Sequence, residues 1–173
     1  VKVSAALRAH FASTVNDTPA EYLISAQTGN VNIDQDSSID FKFMSGATVN
    51  IKGNNRAKFH NEKGAAQVTI AGDSQGDFYS GGTIGIKAKN FNGDIKSIGD
   101  AMIAVLEKLE SFSLFVGGNA KIQSGECFAN IVVKGKGDVS AKSLNKGYFY
   151  YYVKLGEGSI KVTEDSSLEI SIA

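Results

Sequence analysis

A short strand-type triplet returns at nearly constant intervals along this chain: Val31-Asn32-Ile33, Val49-Asn50-Ile51, Val68-Thr69-Ile70 and Ile84-Gly85-Ile86, spaced by 18, 19 and 16 residues. In an extended strand successive side chains point to opposite sides, so each triplet puts two β-branched apolar residues on one side and a polar or small residue on the other. One such triplet is commonplace. Four at a near-fixed period mean that one supersecondary unit is repeated, and each unit needs its neighbours to cover its apolar side. The expected fold is mainly β: a parallel β-helix, or β-solenoid, with about 18 residues per coil over residues 28–173.

Written as consecutive coils, the repeat begins near Val31, Val49, Val68, Ile84, Met102, Lys121, Val139 and Ile160. A second strand is expected about eight to ten residues into each coil, at Ile39-Asp40-Phe41-Lys42-Phe43, Ala57-Lys58-Phe59, Asp77-Phe78, Asp94-Ile95, Leu114-Phe115-Val116 and Ile131-Val132-Val133. The same position falls in the 149–155 run and in Leu168 to Ile172 for the last coils. Turn-forming clusters such as Gly53-Asn54-Asn55 and Gly72-Asp73-Ser74-Gln75-Gly76 lie between the strands. With 19 Gly and a single Pro, the corners are made by conformationally permissive residues and not by fixed proline turns.

Residues 1–27 lack the repeat and are expected to form a short helical N-terminal cap. Thr18-Pro19-Ala20-Glu21 has the form of a capping box, which predicts a helix over 19–26. Ser4 to Ala12 is also rich in helix formers, with Leu7 and Phe11 four apart. A cap is useful here because a solenoid end leaves strand amides unpaired and the core open. Residues 100–110 admit two readings: a helix begun by Asp100 with Met102, Val105, Leu106 and Leu109 on one face, or a strand from Met102 to Leu106 that continues the stack.

Composition narrows the function classes. Eighteen basic residues balance eighteen acidic ones, so the net positive field that neutralises phosphates is absent and nucleic acid is not an expected partner. Only Arg8 and Arg56 supply guanidinium forks. The one cysteine, Cys127, excludes an internal disulfide and reads as a small buried apolar residue. No apolar run approaches the roughly 18 residues of a membrane-spanning helix. A chain opening on Val1 is read as a processed or excised piece of a longer protein.

No arrangement for catalysis, metal or nucleotide emerges, and no cofactor is expected. His10 and His60 are the only histidines, in unlike contexts, and His60 reads as a solvated corner residue. Gly117-Gly118-Asn119-Ala120-Lys121 lacks the spacing of a phosphate-binding loop. Stacked coils can align carboxylates into acid–base or calcium sites, with Asp34, Asp36, Asp73 and Asp77 as candidates, but an Asp at a turn has reason enough in bonding to local backbone. The most distinctive run is Tyr148-Phe149-Tyr150-Tyr151-Tyr152-Val153-Lys154-Leu155. With Phe149, Tyr151, Val153 and Leu155 inward, Tyr148, Tyr150, Tyr152 and Lys154 form an outward row able to contact sugars or a partner protein, unless another segment covers it.

The phrases Gly137-Asp138-Val139-Ser140-Ala141 and Gly93-Asp94-Ile95-Lys96-Ser97 resemble those of bacterial surface solenoids of the filamentous-haemagglutinin-like and autotransporter-passenger type. That resemblance implies a secreted or cell-surface adhesin or structural scaffold that binds a host surface protein or glycan and does not catalyse. Similar phrases in bactofilin-like cytoskeletal solenoids imply self-association into polymers instead. A carbohydrate-active β-helix enzyme is the third alternative. No site residue carries over, because these families share coil grammar and not a site.

Overall fold

The computed structural model describes the backbone of residues 2–11, 24–144, 150–153 and 156–163, and side chains over 24–144, 151–153 and 156–163. It is a parallel β-solenoid of about seven turns at about 18 residues per turn. Every strand pairing is parallel, and partners come from successive turns.

The strands form three ladders, or walls. In the first, Val31 pairs with Val49, Val49 with Val68, Val68 with Ile86, Ile86 with Ile103, Ile103 with Ile122, Ile122 with Val139 and Val139 with Ile160. Apart from Ile160, which packs against the core half-buried, these side chains are buried, so like residues meet in a column. The second wall starts with single bridges, Ser37 to Asn55 and Asn55 to Ser74, and continues through Phe91, Leu109, Cys127 and Leu144. The third aligns Phe41, Phe59, Phe78, Ile95, Leu114 and Ile131 inward. In the core beside it Phe43, Phe59, Phe78 and, from the second wall, Phe91 make successive tilted and edge-on ring contacts, with centroids 5.9, 5.8 and 5.2 Å apart.

Where the third wall turns toward the first, the interior column becomes polar: Asn61, Ser80 and Ser97 are fully buried. Each is satisfied, as buried polar groups must be. Asn61 accepts the Gly46 amide at 2.9 Å and donates to the Gly64 carbonyl and to Ser80 Oγ, while Ser97 Oγ donates to the Gly82 carbonyl at 2.9 Å. Hydrogen bonding thus fixes this corner. At the corner between the second and third walls Gly76 and Gly93 stack one above the other with φ of 150° and 152°, and a Cβ on Gly93 would strike the Gly76 carbonyl oxygen.

Several sequence expectations change. No helix occurs among the described residues. The helix-forming stretch near the N-terminus is instead a strand, Lys2–Phe11, parallel to Ile24–Ile33, because pairing to a neighbouring turn overrides intrinsic propensity. Most of the expected 19–26 helix lies outside the described residues, and its end, from Ile24, is already strand. Residues 100–110 resolve as strands Ala101–Val105 and Lys108–Val116. Val105 and Leu109 are buried while Met102 and Leu106 are 60% and 72% exposed, a split along period two that no helical face would make. Ile84 pairs with Ala66 and not with Val68, so the true register at that turn is shifted by two residues.

Candidate binding surface

The expected tyrosine row is described only in part. Tyr148 and Lys154 lie outside the described residues, and Tyr150 is described by its backbone, at the start of strand Tyr150–Val153. Within that strand Tyr151 and Val153 pack against the core and Tyr152 is 37% exposed. Burial, aided by the Asp138 carboxylate, pushes the Tyr151 phenol up to about 12.

Tyr152 does not stand alone. Parallel register places it over Val132, Val132 over Phe115, Phe115 over Lys96, Lys96 over Tyr79, Tyr79 over His60 and His60 over Lys42. This column is the outer side of the third wall. Its members are the middle residues of the triplets whose flanking positions fill the core, so alternation forces them outward. The sequence signal lay in those triplets, Phe41-Lys42-Phe43, Phe59-His60-Asn61 and Phe78-Tyr79-Ser80, once they are aligned by coil.

The half of the column nearer the N-terminus is polar. His60 is on a strand and not at a corner; its ring stacks on Tyr79 with centroids 4.6 Å apart, and Lys96 Nζ lies 5.8 Å from the Tyr79 ring on the next turn. Glu62 joins His60 at 2.9 Å and Lys42 at 3.7 Å. A parallel column of Asp40, Lys58, Asp77 and Asp94 runs beside these residues, and together they line a shallow groove of about 480 Å³. The other half is apolar, with Phe115, Val132 and Tyr152, and Lys134 Nζ 5.4 Å from the Phe115 ring.

The four carboxylates singled out in the sequence do not converge on a site. Asp34 pairs with Lys52 at 2.8 Å. Asp36 Oδ1 accepts the Asn54 amide at 2.7 Å, Asp77 Oδ1 accepts the Asp94 amide at 3.1 Å, and Asp73 Oδ1 accepts the Asn90 side-chain amide at 2.9 Å. The expected reason, bonding to local backbone, is thus corrected in one respect: the partners found lie one turn later. The same contact recurs at Asp40, Asp94 and Asp100, whose Oδ1 atoms accept the amides of Lys58, Ser113 and Asn119.

His10 is on the Lys2–Phe11 strand, with no side-chain description. Cys127 is buried, and that burial pushes its thiol up to about 12, partly opposed by a hydrogen bond with Ser124. Among the described residues, no three His, Cys, Asp or Glu side chains are grouped so as to hold a metal ion, and no helix is long and apolar enough to cross a membrane. No protein-family model, curated protein or solved structure matches the chain, so its affiliation rests at the parallel β-solenoid fold.

Proposed function

We propose that this chain is a non-enzymatic binding solenoid, secreted or displayed at a bacterial cell surface, of the filamentous-haemagglutinin-like or autotransporter-passenger type. It acts as an adhesin or scaffold that presents its third wall to a host glycan or surface protein. The observation that supports this is the unbroken outer column from Lys42 to Tyr152, in which aromatic and cationic side chains are held at rung spacing on a rigid sheet. Engagement of the corner carboxylates by main-chain and side-chain amides favours binding over acid–base hydrolysis, which needs two carboxyls facing one bond.

The test is retention of the purified chain on a glycan array and on immobilised host-surface proteins, with a Phe115→Ala, Tyr152→Ala double variant as the comparison. Binding that drops about tenfold while the far-ultraviolet spectrum is unchanged supports the reading. Binding of no glycan and no host-surface protein by the parent chain, or reducing ends released from a polysaccharide panel, refutes it.

A further inference from the structure

The charge pattern of the groove on the third wall points to a particular ligand. Its lining carries Lys42, Lys58 and Lys96 against Asp40, Asp77 and Asp94, so cations and carboxylates cancel there three to three. A groove for a polyanion would carry an excess of lysine, because phosphate or sulfate recognition depends on uncompensated positive charge. A cancelled pattern, with donors and acceptors interleaved, suits a ligand that offers many hydroxyls and no net charge. The carboxylates also have capacity to spare: an ionised carboxylate has two oxygens and about four acceptor positions. The bonds described to Asp40, Asp77 and Asp94 use Oδ1 alone, for the amides of Lys58, Asp94 and Ser113.

Geometry adds the second element. Adjacent turns are about 4.8 Å apart, close to the length of one pyranose in an extended β-1,4-linked chain. Four successive rungs each present one pair of polar side chains across the groove: Asp40 and Lys42, Lys58 and His60, Asp77 and Tyr79, Asp94 and Lys96. The faces of the Tyr79 ring are engaged by His60 and Lys96, so this half of the wall offers ring edges and polar groups and no open stacking platform. Recognition here is by hydrogen bonding.

We infer that the groove binds an uncharged, extended polysaccharide along the solenoid axis, one sugar per turn over four turns. This deepens the proposed glycan-binding role and rests on it. Calorimetry of the intact chain with β-1,4-linked gluco-oligosaccharides and N-acetylglucosamine oligosaccharides of two to six units tests it, with polygalacturonate and heparin as polyanionic probes. Affinity should rise with each sugar up to four and then level off, and should not change as salt is raised. Asp77→Asn, which keeps an oxygen for the Asp94 amide, should weaken the tetrasaccharide about tenfold. Preference for the polyanions with steep salt dependence overturns the inference, as does affinity independent of length or of Asp77. Binding of other glycans or of a protein, lost only with Phe115 and Tyr152, overturns it while leaving the proposed function standing. No binding of any glycan or surface protein overturns both.

Discussion

Phe59 gives the sharpest test of the stacked core. It is 2% exposed, pairs in register with Phe41 and Phe78, and holds ring contacts at 5.9 Å to Phe43 and 5.8 Å to Phe78. Truncation to alanine removes the ring from the middle of the stack, and neighbours tied to their own rungs by ladder hydrogen bonds cannot close the gap. Phe→Ala at such a site costs about 3–5 kcal/mol, including two aromatic contacts of about 0.5–1.5 kcal/mol each. For a chain of this length each kcal/mol lowers the melting temperature by roughly 2–4 °C, so a fall of about 6–20 °C is expected. Phe115→Ala is the control: the same atoms are removed from an outward ring, and a loss near 1 kcal/mol is expected. Thermal and urea unfolding followed by circular dichroism measure both. Equal losses for the two variants would refute the inward and outward assignment of the third wall.

Other substitutions probe separate features. Ile51→Lys puts a charge into a 2% exposed column position and should abolish cooperative unfolding, whereas Asn50→Lys, one residue away on the outer side, should leave the melting curve within a few degrees. Gly93→Ala should cost more than about 1 kcal/mol in urea unfolding, because φ is 152° and the new Cβ meets the carbonyl of Gly76. Asp94→Ala should cost about 0.5–1.5 kcal/mol by removing the acceptor of the solvent-facing Ser113 amide, while Asp94→Asn retains an oxygen and most of the stability. The thiol of Cys127 is raised from 9.0 to about 12, so the folded chain holds its proton where the unfolded chain loses it. That contribution is complete below pH 9 and is lost as pH rises toward 12, by about 4 kcal/mol at most. Tyr151 acts in the same direction between 10.0 and about 12, and a Cys127→Ala variant should show a shallower alkaline decline in urea midpoint than the parent chain.

What could be read from the sequence follows from period two. Val31, Val49 and Val68 repeat as identical residues with β-branched partners two positions on, so their walls and their inward direction are plain. A slip of two residues preserves that direction, which is why Ile84 passes for the partner of Val68 when Ile86 is. Met102 is similarly misleading: an exposed apolar residue beside buried Ile103 blurs both helix against strand and the start of the coil. Tyr152 draws attention in the sequence because it lies in a run of consecutive aromatic residues. The rest of the same surface is not, since Lys42, His60, Tyr79, Lys96 and Phe115 have nothing in common except register, and register is a property of pairing between turns. The strand at Lys2–Phe11 was hidden for the same reason: its state is set by the neighbour it pairs with.

Most of the corner contacts share a direction, the buried Asn61 that accepts the Gly46 amide being an exception. In eight side-chain to main-chain bonds, from Asp36 with Asn54 through Asn119 with Lys136, the accepting oxygen belongs to the earlier turn and the donated amide to the later one. A completed turn therefore carries acceptors already placed for chain that has not yet arrived. For a polypeptide delivered from its N-terminal end, by a ribosome or through a narrow pore, each winding serves as a mould for the next, and shape can accumulate in step with delivery.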